Sequence, residues 1–197
     1  MNKKIVIVPL AILVLAGSWF AYSKFQESRY MDQLRPNIKY ATLHIANTLR
    51  YEIESGTKIT YKELFEKIES DINEIEKKKL EIQSIENPRY AKRNSAVITY
   101  MNSSQELLRA LQQKYRKQLA VSSASDWFDS SLQDLRESSS YSYEYSKRRL
   151  DKALADLSKA NSEYQASVTE LIDASKKMSE SLKAALSHLP GELLVSQ

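Results

Sequence analysis

Few groups in this chain are suited to chemistry. His44 and His188 are the two imidazoles, and there is no cysteine. Without cysteine there is no disulfide, thiolate zinc site, cysteine nucleophile or lipid-modified thiol. Neither histidine belongs to a His-x-x-x-His pattern with carboxylates. They belong to opposite parts of the chain and to different heights of any helical arrangement. Both read as surface or half-buried histidines, and no metal is expected.

Other candidates fare no better. Asp126/Asp129 and Glu63/Glu66 have the spacing of paired carboxylates for acid–base work. They read instead as helix-start residues that complement the helix dipole. Ser55-Gly56-Thr57-Lys58 is similar to the Ser-x-x-Lys motif of penicillin-recognising enzymes. That family's Ser-Asp-Asn and Lys-Thr-Gly are missing, so the tetrapeptide reads as a turn. Glu-x-x-His, which di-iron bundles need, is also missing. Three glycines are too few for a glycine-rich phosphate loop or a barrel with many tight turns. Asn102-Ser103-Ser104 has the form of a glycosylation sequon, which matters in a eukaryotic secretory pathway. No catalytic activity and no cofactor are expected.

What remains to be positioned is a set of binding residues, and the elements that carry them are helical. Lys3 and Lys4 precede an apolar run from Ile5 to Tyr22, interrupted by Pro9, Gly17 and Ser18. A spanning helix needs ~20 residues, with ~17 at the short end. Residues 1–23 therefore read as a membrane anchor or signal-anchor. Trp19, Phe20 and Tyr22 suit the membrane interface. Ala16-Gly17-Ser18 also suits cleavage after Ser18, which would leave a soluble secreted or periplasmic protein. A third reading is a buried soluble helix. Leu15-Ala16-Gly17-Ser18 resembles a lipoprotein box with Ser in place of the required Cys.

Lys24, Arg29 and Arg35 nearly balance the N-terminal positives, so the positive-inside rule is close to a tie. The tight cluster at Lys3 and Lys4 favours an inside N-terminus. The expected location is the inner or plasma membrane, with the bulk extracytoplasmic and, in a Gram-negative cell, periplasmic.

Residues 24–197 read as one helical bundle. Leu34, Ile38, Ala41, Ile45, Leu49 and Ile53 form the stripe of a first helix, with a kink or break expected at Pro36. Thr60 and Glu63 form a capping box that starts a helix over 61–86, ended by Asn87-Pro88. Its stripe is Tyr61, Leu64, Phe65, Ile68, Ile72, Ile75, Ile82 and Ile85. A third helix over 89–121 carries Val97, Met101, Leu108, Leu111, Tyr115 and Leu119, and its regularity fails at residues 122–126.

The last helix, 150–189, has Leu150, Leu154, Leu157, Asn161, Tyr164, Val168, Leu171, Ser175, Met178, Leu182, Ala185 and Leu189 in 4-3 alternation. A sustained seven-residue repeat predicts coiled-coil packing, with Asn161 and Ser175 as polar seam residues. The expected fold is all-α: an N-terminal transmembrane helix, then an antiparallel four-helix bundle with a long C-terminal helix. The outline is similar to that of four-helix extracytoplasmic sensor domains, which continue into a second membrane helix and signalling modules.

With the first helix leaving the membrane, residues 122–149 form a distal connection. Residues 122–146 hold 10 serines, with Trp127, Phe128, Tyr141, Tyr143 and Tyr145 among them. Serine is a poor helix former and tyrosine a good contact residue. These five aromatics are candidate partner-binding residues, or else caps of the bundle core.

Charge is uneven: residues 61–86 have five Lys against eight Asp or Glu, and residues 87–125 have seven Lys or Arg against Glu106 alone. One reading is complementarity between helices. The other is contact of Arg89, Lys92 and Arg93 with lipid headgroups at the membrane-facing turn, which Lys176, Lys177 and Lys183 also approach. A net charge of +4 with an export signal argues against nucleic acid. The expected function is a structural, assembly or protein-binding component, with self-association through the coiled coil included. The alternatives are a ligand-binding sensor, with a polar cavity near Tyr115 and Tyr164, or a diffusible binding protein.

Overall fold

The computed structural model describes residues 3–55, 60–85 and 88–188, and within the first stretch the side chains of 22–50. Four helices pack together: α1 (Lys3–Ser55), α2 (Tyr61–Gln83), α3 (Ala91–Glu137) and α4 (Tyr143–Ser187). A single 3-10 turn, Pro88–Tyr90, precedes α3, and no strand occurs among the described residues.

The helices have very unequal lengths of 53, 23, 47 and 45 residues. At ~1.5 Å per residue α2 is about 35 Å long and the others about 70–80 Å.

The core lies where α1, α2 and α3 meet. Leu34, Ile38 and Ala41 of α1, Ile68, Ile75 and Ile82 of α2, and Val97, Tyr100, Met101 and Leu108 of α3 are buried together. These are the expected stripes. Tyr100 adds to them, Leu49 and Tyr61 are exceptions and stay exposed, and Ile53 lies outside the described side chains.

The capping box is present: Thr60 Oγ1 accepts from Glu63 N–H, and the Glu63 carboxylate accepts from Thr60 N–H at 2.9 Å. The ring stack of Tyr30 on Tyr90, with centroids 4.1 Å apart, ties the α2–α3 turn to α1. The Thr42–Tyr100 hydroxyl contact at 2.7 Å sits further along both helices, so α1 and α3 run parallel.

Three expected boundaries are corrected. The break at Pro36 does not occur, and α1 continues through it. An interior proline costs ~3 kcal/mol, but here buried Tyr30, Met31 and Leu34 on one side and Ile38 and Ala41 on the other hold the helix on its neighbours. The failure at residues 122–126 does not occur either, since α3 runs on to Glu137. Serine-rich sequence lowers helix propensity by tenths of a kcal/mol per residue, which packing against α4 overrides. The 122–149 connection therefore shrinks to residues 138–142, and Asp126 and Asp129 lie inside α3, exposed, rather than at a helix start.

The fourth correction concerns α4. It packs along α3, and among the described residues no Cα of α1 comes within 8 Å of α4. The lower part of α4 still joins the common core, with Ala185 buried in it and Leu171, Met178 and Leu182 packed against it, but α4 lies closer to α3 than to α1. The seam also differs from the expected one. Ser146, Ala153, Ser167 and Ser181 are buried, and Ala160 and Ala174 complete the same seven-residue series, half-buried. On α3 the matching series is Ala96, Ser103, Ala110, Lys117, Ala124 and Ser131. Ion pairs Asp134–Arg149, Lys117–Glu163 and Glu106–Lys177 set the antiparallel register. Small residues at a repeating position let two helix backbones approach closely, while Leu150, Leu157, Tyr164, Leu171 and Met178 cover the flank, half-buried. Leu154 is 53% exposed, and Asn161 and Ser175 are exposed, off the seam.

Candidate functional site

Unequal lengths create two distinct ends. α2 starts at Tyr61, whose ring meets Tyr115 of α3 at 6.0 Å. Beyond that level, among the described residues, α3 and α4 continue alone. From Tyr115 to Glu137 the hairpin projects about 33 Å at ~1.5 Å per residue. Its turn is closed by Ser142 N–H donating to Ser139 O at 3.0 Å.

The five predicted contact aromatics all lie on this projection, and they do not form one patch. Tyr141 in the turn is 99% exposed, Tyr145 72% and Tyr143 47%. Tyr143 and Tyr145 are two residues apart on a helix, so they face different directions. Trp127 and Phe128 sit about ten residues down α3, roughly 15 Å below the turn. Arg149 of α4 lies 4.3 Å over the Trp127 ring and pairs with Asp134 at 2.6 Å, so one face of that indole is covered while the side chain stays 37% exposed. Phe128 is half-buried.

The opposite end gathers the predicted basic residues. Arg89 Nη2 donates to Ser23 Oγ at 2.5 Å, and Arg93 Nη2 donates to Glu27 Oε1 at 2.7 Å. Both guanidinium groups lie 5.7 Å from the centre of the Tyr90 ring. Hydrogen bonds from Arg93, then Lys24, hold the Glu27 carboxyl below its ordinary pKa. Lys92 is exposed beside them. His188, at the end of α4, lines the same cleft of about 320 Å³ with Glu27, Pro88, Arg89 and Arg93.

Sequence reading missed a buried polar cluster between α1 and α2. Asp71, only 1% exposed, accepts from His44 Nδ1 at 2.6 Å, from Lys67 Nζ at 2.6 and 2.7 Å, and from Thr48 Oγ1. Burial pushes its pKa up, but the hydrogen bonds from Lys67, Thr48 and His44 outweigh that and lower it. The ionised carboxylate can only accept, so His44 donates through Nδ1. The signal was available: Asp71 occupies a stripe position between Ile68 and Ile75. A hydroxyl nucleophile would have to sit on the other imidazole nitrogen. Here Thr48 bonds the carboxylate directly, and the cluster pins α1 to α2.

Charge complementarity between helices is partial. Lys117–Glu163 and Arg93–Glu27 use basic residues of α3, whereas Glu106–Lys177 and Asp134–Arg149 reverse the sign. Between α1 and α4 lies an apolar groove of about 430 Å³ lined by Ile45, Leu49, Leu107, Leu111, Ile172 and Met178. Tyr115 is buried in the core and Tyr164 is half-buried on α4.

Among the described residues no group of three or more His, Cys, Asp or Glu is placed to hold a metal ion. Among them, too, no helix is long and apolar enough to cross a membrane. The run from Ile5 lies in the first part of α1, where side chains fall outside the described residues, as do Gly56, Thr57 and Lys58. Comparison with protein-family models, curated proteins and solved structures gives no match.

Proposed function

We propose that the chain is a membrane-anchored, non-catalytic assembly or protein-binding component. Residues 5–22 hold the bundle at the membrane, and the α3–α4 hairpin presents its tip away from it. The observation that carries this reading is the projection itself: two helices extend alone past the level of Tyr61 and end on Tyr141 and Tyr145, both widely exposed. Such rigid aromatic side chains supply large contact area at low entropy cost. The packed seam of small residues keeps that tip at a defined distance from the base.

The extracytoplasmic placement follows from Lys3 and Lys4 beside the apolar run. The test is membrane fractionation of the full chain, with protease added before and after the outer compartment is opened. An intact membrane-bound chain, digested only after opening, supports the proposal. A shortened soluble protein outside the cytoplasm replaces it with a diffusible binding protein.

A second reading rests on the groove between α1 and α4. Its walls are nearly all aliphatic, so a ligand there would be apolar. Thermal stabilisation by an apolar small molecule, abolished by Leu111→Asp, would favour a ligand-binding sensor role.

A further inference from the structure

We propose that the lower end of the bundle is a collar for anionic lipid headgroups, built from Arg89, Lys92 and Arg93 with Lys24 and Arg29 of α1. The inference rests on the anchored reading of residues 5–22 and adds the lipid chemistry that the base recognises.

Height is the first argument. Tyr22 ends the apolar run, and the next residue, Ser23, accepts the hydrogen bond from Arg89 at 2.5 Å. The Pro88–Tyr90 turn is therefore fastened to α1 where the run stops. Eighteen helical residues span about 27 Å, close to the ~30 Å of a hydrocarbon core. With that run across the bilayer, the turn stands at headgroup level.

Charge is the second. Lys24, Arg29, Arg89, Lys92 and Arg93 share this end with His188, and among the described residues of α1 the acids beside them are Glu27 and Asp32. Glu27 is already engaged by Arg93 and Lys24, and Asp32 by Arg35. Arg89 and Arg93 keep these protein partners. Lys92, exposed beside them, can present its ammonium to a phosphate oxygen.

Aromatic placement decides between a lipid and a soluble phosphate. Tyr22, just below the cations, and Phe25, among them, are both more than half exposed on α1, and the Arg29 guanidinium sits 5.6 Å over the Phe25 ring. Exposed rings bordering a basic tier are the arrangement of a membrane–water interface. A soluble phosphate would leave those rings without a role.

The test uses the full chain in vesicles of phosphatidylcholine, with or without phosphatidylglycerol. The sequence lacks cysteine, so Ser95→Cys, one turn above Lys92 and exposed, takes a single polarity-sensitive dye. Phosphatidylglycerol is expected to lower acrylamide quenching of the dye several-fold. Adding Arg89→Gln, Lys92→Gln and Arg93→Gln should abolish that protection while the protein still floats with the vesicles. Lys92→Gln alone, at an exposed position, should weaken it without loss of helicity, which controls for misfolding of the triple variant. Flotation with equal quenching in both vesicle types overturns the collar and leaves the anchor standing. Failure to float with either overturns the anchor and the collar together. Equal protection by inorganic phosphate over phosphatidylcholine vesicles, or by an acidic peptide, overturns the choice of lipid.

Discussion

The Asp71 carboxylate on α2 and the His44 imidazole on α1 are joined by a 2.6 Å hydrogen bond inside the bundle, with Lys67 and Thr48 completing the shell. This places an ionised group among isoleucines, and makes the α1–α2 contact specific in register.

Acid stability follows from that pairing. The folded pKa of Asp71 is lowered, so its contribution is present above the unfolded value of ~3.9 and is lost as pH falls through the folded pKa. Asp71→Asn should lose about 1.5–3 kcal/mol at neutral pH, the range for hydrogen bonds to a charged group. The gap to the natural protein should narrow below about pH 4. Thermal melts at neutral and acid pH measure both; a gap independent of pH would remove the ionic account.

The α3–α4 seam predicts opposite outcomes for neighbouring residues. Ala153 is fully buried and Leu154 is 53% exposed. Ala153→Leu should cost about 1–3 kcal/mol by overpacking, whereas Leu154→Ala should change stability by less than about 0.5 kcal/mol. Urea unfolding of the two variants reads the register. The reverse ranking would restore the seam at Leu154, Asn161 and Ser175.

Tyr30 and Tyr90 stack face to face, and neither hydroxyl has a hydrogen-bond partner among the described residues. Removing a buried unpaired hydroxyl relieves a desolvation cost. Tyr90→Phe should be neutral or stabilise by up to about 1 kcal/mol, while Tyr90→Ala should cost about 3–5 kcal/mol through lost packing. A clear loss of stability in Tyr90→Phe would show that the hydroxyl has a partner.

At the tip, Tyr141→Ala and Tyr145→Ala should leave the melting temperature essentially unchanged, since substitutions at exposed sites fall within about 0.5 kcal/mol. The same pair should abolish crosslinking of a partner from the 138–145 region. Undiminished crosslinking would move the contact elsewhere on the chain.

Periodicity made the core of α1, α2 and lower α3 readable in advance, because Leu34, Ile38, Ile68, Ile75, Val97 and Met101 are large and regularly spaced. The capping box at Thr60 was equally readable, since it is local chemistry. The α4 seam misled for a matching reason. Leu154 and Asn161 fit one 4-3 frame yet are exposed, while the buried positions Ser146, Ala153 and Ser167 look neutral. Small residues signal nothing until a partner helix approaches them. Asp71 escaped notice because a carboxylate on an apolar stripe has meaning only once His44, Lys67 and Thr48 converge on it.

Local sequence is enough to specify helices, one capped start and the apolar faces that must be covered, because propensity, capping and 3.6-residue spacing act over a few turns. It also places the tyrosines near a chain reversal. Which helices touch is a different matter. The groove between α1 and α4, the α3–α4 projection and the meeting of Ser23 with Arg89, 66 positions on, depend on residues far apart in the chain. Packing of small seam residues and relative helix length decide those relations, and neither is visible within any single helix.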